Sequence, residues 1–191
     1  MDAMDQSMLI NYGDYTREEL TIGDFGDIYI ICTERDEEAL QPFIDWKKEK
    51  GFNVFKEVVE VGTNVKTNVQ AAYDANPNIL YVHLAGDWND IKCDLGGGAN
   101  APMDPMLGCV EGTDWYPEIS VGRFSGSSPA HITTQVNKAI NYEKNPEAGA
   151  DWYGKSLGVA SQEGSGNGDD GEMDKVHVQI IYDNKLDPFS Y

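Results

Sequence analysis

Hydrophobic residues along the chain fall into short continuous runs separated by stretches of helical spacing, and this alternation predicts the architecture. Asp27 to Cys32, DIYIIC, is a β-branched and aromatic run that reads as a core strand. Between Asp36 and Lys50 the residues Leu40, Phe43, Ile44 and Lys47 recur at helical spacing until Gly51 closes the segment. Asn53 to Val61 alternates as a second strand, and Val65 to Tyr73 is a modest amphipathic helix ahead of Asn76-Pro77. Asn78 to Asp87, NILYVHLAGD, is apolar from Ile79 to Ala85 except at Tyr81 and His83, and turn residues bound it, so it predicts a strand buried on both faces. This strand and helix order predicts an α/β fold with a mostly parallel sheet, flanked by helices and joined by right-handed crossovers. Open sheets of this kind gather ligands at the carboxyl ends of their strands, which is where Asp87 stands.

The second half repeats the pattern less regularly. From Trp88 to Met106 the chain is glycine-rich and irregular, and its run Gly96 to Gly98 lacks both the GxxxxGK[ST] and the GxGxxG phosphate patterns, so it reads as a surface loop. Ile119 to Phe124 predicts a strand. Pro129 then opens a helix whose face is Ile132, Val136, Ala139, Ile140 and Tyr142, running to Lys144. After Asn145-Pro146, Lys155 to Ser161 predicts another strand, leading into the acidic glycine-rich loop QEGSGNGDDGEMD and a helix from Glu172 to about Asn184. The expected organisation is a leader or linker over 1–26, a first sub-domain over 27–145, and the start of a second over 146–191. No later strand covers Val176, Ile180 and Ile181, so the sequence is expected to be a truncated part of a larger domain.

Charge narrows the partners. With 33 acids against 14 bases the formal net charge is −19, which repels a phosphate backbone and argues against nucleic acid. Divalent cations and basic substrates suit such a chain, although a merely solvated surface has the same composition. The three cysteines, Cys32, Cys93 and Cys109, lack close metal-ligand spacing. No apolar run reaches the roughly 20 residues that cross a bilayer, and the start MDAMDQSMLI is acidic where a secretory signal is basic.

One segment has a metal-ligand character. EGTDWYPEISVGRF places Glu111, Asp114 and Glu118 in a non-helical turn, and carboxylates with backbone carbonyls are what a hard cation such as Ca²⁺ takes. Asp87 would complete such a site if the turn lies beside the carboxyl edge of the sheet. An acidic surface turn is the competing reading, and Arg123 is the nearby base that would pair with one of its acids.

Five stretches in order, FIDWKKEKGFNV, YVHLAGD, DWYPEISVGRFS, INYEKNP and VASQEGSGNGDDGEMD, resemble gingipain-type cysteine peptidases over roughly Asp27 to Tyr182. The resemblance implies a caspase-like three-layer fold and peptide hydrolysis by a cysteine thiolate paired with a histidine. It maps a structural calcium site onto Asp87, Glu111, Asp114, the carbonyl of Tyr116, and Glu118; one extra residue between Glu111 and Asp114 departs from some members. It makes Glu163 the acid that supports the catalytic histidine, and Asp174 the acid at the base of the pocket for a substrate arginine. The family's His-Gly motif and its cysteine have no counterpart here. His83, His131 and His177 do not precede glycine, and Cys32, Cys93 and Cys109 stand elsewhere, so this chain alone is expected to be inactive. The expected partners are a peptide or protein substrate and the remaining catalytic segment as a second chain, at an extracellular or cell-surface location. The alternative is a non-catalytic caspase-like module, calcium-stabilised, with a binding or structural role.

Overall fold

The computed structural model describes residues 25–96, 100–161, 164–166 and 171–189. Two compact units divide the chain, Met1–Lys144 and Asn145–Tyr191. Apart from Phe25 and Gly26, the expected leader lies outside the described residues.

In the first unit, β1 (Asp27–Cys32) leads through a short 3₁₀ turn, Glu34–Asp36, into α1 (Glu37–Glu49) and then β2 (Asn53–Val58). A two-residue β3 (Thr63–Asn64) precedes α2 (Lys66–Ala75) and β4 (Ile79–Ala85). Short pieces follow: β5 (Ile91–Lys92), β6 (Leu95–Gly96), β7 (Ala101–Pro102) and a 3₁₀ turn at Asp104–Gly108. The unit closes with β8 (Ser120–Phe124) and α3 (Pro129–Lys144). The main sheet has the order β2-β1-β4-β8, and every pair in it is parallel. Strand order reverses between β1 and β4, the position at which open parallel sheets commonly place a ligand.

Alternation along β1 explains the layers. Tyr29 and Ile31 join Val82 and Leu84 of β4 and Val65 and Val69 beside and within α2 in one buried cluster. Ile28, Ile30 and Cys32 point the other way, onto Leu40, Phe43 and Ile44 of α1 and Ile132 and Val136 of α3. A sheet with a core on each face is the three-layer arrangement expected from the runs of apolar residues. Asp27 faces Ile79 while Ile28 faces Tyr81, so β4 carries one extra residue at Leu80. That bulge sets which side chains of β4 enter which core, because a shift by one residue exchanges the two faces.

Two helices are stapled by residues from separate quoted motifs. Glu143 near the end of α3 accepts from the Trp46 indole Nε1 at 2.8 Å, from Lys47 Nζ at 2.6 Å and from Lys50 Nζ at 2.8 Å. Although burial opposes its ionisation, the two ammonium groups and the indole hold its carboxyl down to about 2.

Differences from the expected elements have local causes. The second strand ends at Val58 rather than Val61 because β1 ends opposite it at Cys32 and offers no further partner. In the second unit Lys155 to Ser161 is no strand: it forms no β-ladder with another described segment, and Leu157 and Val159 are 88% and 81% exposed. Apolar alternation supplies a face for a strand, but the ladder needs a neighbour. The last helix, α4 (Asp174–Ile181), starts two residues later than expected and widens into a π turn at Tyr182–Leu186. Val176, Ile180 and Ile181 are exposed.

Candidate functional site

The carboxyl edge of the main sheet is built from the segments that leave β1, β4 and β8. After β4, Gly86 takes a φ of +137°, and a Cβ there would come within 3.1 Å of the Asp90 Cβ. Its backbone N donates to Phe124 O at 3.0 Å and Asp87 N donates to Gly126 O at 3.1 Å, so the β4 and β8 exits stay joined beyond the strands. Asp87 Oδ1 then accepts from Trp88 N at 2.5 Å, and Asp87 O accepts from the backbone N of Asp90 and Ile91, forming a tight turn.

Arg35 ties this edge together. Its guanidinium donates to Asp36, which is fully buried, through Nε at 3.1 Å and Nη2 at 2.7 Å, and to both carboxylate oxygens of Asp90 at 3.1 and 2.8 Å. A further bond reaches Gly126 O at 3.3 Å. One side chain therefore bridges the exits of β1, β4 and β8. The Asp36 and Asp90 carboxylates push the Arg35 pKa up, and Arg35 in turn holds Asp90 below the usual carboxylate range.

Arg123 does not pair with the acidic turn, correcting the sequence-based expectation. It binds Asp104 in bidentate fashion, Nε to Oδ2 and Nη2 to Oδ1 both at 2.7 Å, and Nη1 donates to the carbonyls of Gly86 and Ile91 at 3.0 Å. The guanidinium fork finds a carboxylate and two strand-end carbonyls in one place, which the exposed turn cannot offer. Asp104 is consequently held below the usual range.

The acidic turn is pinned at its neck and open at its tip. Glu118 and Ile119 donate their backbone N–H to Gly108 O at 3.0 and 3.2 Å, and a Cβ on Gly108 would lie only 2.2 Å from Ile119 O. Glu118 Oε2 accepts from the backbone N of Val110 at 2.9 Å and of Glu111 at 3.0 Å, which lowers its pKa. Asp114 Oδ1 accepts from Tyr116 N at 2.9 Å, and Glu111 Oε1 accepts from the Tyr73 hydroxyl at 2.5 Å. Tyr116 and Trp115 are 80% and 72% exposed. The donor chemistry suits a hard cation, since every candidate ligand atom is oxygen. The arrangement does not: among the described residues no three carboxylate, imidazole or thiol side chains gather as an ion would need. Each carboxylate is engaged locally, and Asp87 belongs to the turn after β4.

Of the two acids assigned to substrate chemistry, Glu163 lies outside the described residues. Asp174 is the first residue of α4, and its Oδ2 accepts from the Ser161 hydroxyl at 2.6 Å. His177, one turn on, meets Glu172 through Nδ1 at 2.5 Å. The cysteines are poor nucleophiles where their titration is perturbed. Burial pushes the Cys32 thiol up to about 11, and burial with the Asp104 hydrogen bond does the same for Cys93. His131 is exposed. His83 on β4 is half-buried, and its Nε2 has no hydrogen-bond partner among the described residues. Its ring is packed between Phe43 and Phe124, with centroids at 5.1 and 4.1 Å, and burial lowers its pKa to about 4, with Lys47 and Arg123 adding to the effect. Sequence reading missed Arg35, Asp36, Asp90 and Asp104, because long-range pairs leave no spacing signal. Trp46, Glu143 and Arg123 did stand inside the quoted motifs.

A parallel α/β scaffold with an ion-paired carboxyl edge is what this sheet and its strand exits define. The profile of peptidase family C25 matches residues 24–190, and the chain belongs to that family. Gingipain R2 of Porphyromonas gingivalis is 32% identical over 193 residues, covering 97% of this chain and 26% of the relative. Gingipain R1 of the same organism is 33% identical, covering 96% of this chain and 19% of the relative. The chain thus spans about a quarter or less of these relatives. Among solved structures, the Arg-specific cysteine proteinase gingipain R (RGPB) superposes with a TM-score of 0.70 at 31% identity, over 93% of this chain and 41% of that one. A complex of the Porphyromonas gingivalis RgpB pro- and mature domains gives 0.71 at 32% identity, over 87% of this chain and 40% of that one. The caspase-like fold class is shared with these structures. No helix among the described residues is long and apolar enough to cross a membrane.

Proposed function

We propose that this chain is the amino-terminal part of the catalytic domain of a gingipain-like cysteine endopeptidase that prefers arginine before the scissile bond. The observation that carries the reading is the match of nearly the whole chain to the Arg-specific cysteine proteinase gingipain R; the resemblance drawn from the sequence motifs adds carboxylates at Glu163 and Asp174. In this reading Asp174 receives the substrate guanidinium and Glu163 fixes the orientation of the catalytic imidazole, favouring its charged form. The nucleophilic cysteine and its histidine come from outside this chain, from a segment of the same protein or a second chain. The raised thiol pKa values of Cys32 and Cys93 agree with that assignment. Proteins are the substrates and the location is extracellular or at the cell surface, both on family grounds.

A structural calcium ion bound by Asp87, Glu111, Asp114, the Tyr116 carbonyl and Glu118 belongs to the proposal on the strength of its all-oxygen donor set. Binding would have to draw these groups together, and no step of the reaction is assigned to the ion. Calcium titration followed by thermal unfolding and Trp115 fluorescence checks it: a concentration-dependent rise in Tm is expected. An unchanged Tm at millimolar calcium removes the ion.

The test of activity uses the protein that carries this chain, with benzoyl-arginine and benzoyl-lysine p-nitroanilides. Arginine-directed hydrolysis is expected, and Asp174→Asn should lower kcat/KM for the arginine substrate by about 100-fold. Absence of hydrolysis of either substrate, with no companion chain found by intact mass and peptide mapping, would favour the non-catalytic binding or structural module.

A further inference from the structure

We propose that Ser161 is a positioning residue for Asp174 and thereby sets how strongly the protein distinguishes arginine from lysine; this rests on the reading of Asp174 as the pocket acid. Ser161 immediately precedes the acidic glycine-rich loop and Asp174 is its last residue, so their 2.6 Å hydrogen bond joins its two ends. A second closure lies within the loop, where Gly166 N donates to Gly171 O at 2.8 Å.

A carboxylate on the first residue of a helix can rotate about both side-chain torsions. The Ser161 hydroxyl, bonded to Oδ2, selects one orientation before substrate arrives. A carboxylate has about four acceptor sites, so a single hydroxyl leaves room for a two-pronged donor. Pre-organisation of this kind lowers the ordering cost of binding. It also discriminates. A planar guanidinium fork gains from a carboxylate fixed in one plane, whereas an ammonium with three rotatable donors is nearly indifferent to that plane.

Ser161→Ala in the protein that carries this chain is expected to raise KM for benzoyl-arginine p-nitroanilide about fivefold to tenfold, with kcat unchanged. KM for the lysine analogue should move less than about twofold. Ser161→Thr should restore the arginine KM, because it returns a hydroxyl. Active-site titration with an irreversible thiol reagent normalises each variant for folded protein, and Asp174→Asn is the reference. An unchanged arginine KM in Ser161→Ala, with Asp174→Asn still impaired, overturns the proposal alone. Failure of Ser161→Thr to rescue, or an equal loss on both substrates, overturns it in favour of a packing role. If Asp174→Asn itself leaves arginine cleavage intact, the reading of the pocket acid falls and this inference falls with it.

Discussion

The first unit and the second hold their residues in place by different means. Residues 25–144 bury a core on both faces of the sheet, and Ile30, Ile31, Cys32, Leu40 and Leu84 are fully buried. Arg35, Arg123 and Glu143 then lock strand exits and helices with hydrogen-bonded ion pairs. In the second unit Leu157, Val159, Val176 and Ile180 are exposed, and polar contacts such as Ser161 with Asp174 and Glu172 with His177 join its segments. The scaffold is thus made by redundant burial, while Asp174 sits where a hydrogen bond from Ser161 can set its geometry. Function carried by segments outside a close-packed core is the arrangement expected when specificity is to vary without loss of the fold.

Four substitutions probe that contrast through urea denaturation. The largest effect is expected for Leu84→Ala, at about 4 kcal/mol, because both the transfer of a fully buried side chain and the cavity it leaves contribute. A loss below about 1 kcal/mol would contradict a close-packed first unit. Arg123→Ala should cost about 3 kcal/mol, since it strands the half-buried Asp104 and two strand-end carbonyls. A near-neutral result would mean that water replaces the guanidinium and that the edge is not locked.

His83 gives a pH-dependent probe. Its folded pKa, about 4, lies below the ordinary 6.5 because the buried neutral ring is disfavoured from charging. The unfolded chain therefore binds the proton first, so stability associated with this group is fully present above pH 6.5 and is lost as pH falls towards 4. Relative to His83→Leu, the wild-type chain should lose about 2 kcal/mol by pH 5. Parallel pH profiles for the two proteins would show that the ring is solvated. The smallest effect belongs to the second unit: Leu157→Ala should change stability by less than about 0.5 kcal/mol. A cost near that of Leu84→Ala would erase the contrast between the units.

Several elements were legible in the sequence for reasons that the structure makes plain. DIYIIC and ILYVHLA became β1 and β4 because continuous apolar runs have few alternatives to a sheet interior. The helices between them kept their bounds to within two residues because the glycine and asparagine-proline stops are local. KSLGVAS was misread as a strand since pairing is a property of two segments and the sequence displays only one. The acidic turn was located by composition, but whether its carboxylates converge depends on rotamers and on neighbours such as Tyr73, which lies 38 residues away from Glu111.

By itself, then, the sequence determined the order of the four main strands and their helices, the parallel α/β class and the family, because hydrophobic period, turn residues and motif order are local or sequential properties. The tertiary structure decided the strand order β2-β1-β4-β8, the choice of Asp104 by Arg123, the three-way grip of Arg35, and the clasp between Ser161 and Asp174. Each of these depends on segments that the fold brings together, and an ion pair or hydrogen bond forms only where the backbone brings donor and acceptor within about 3 Å.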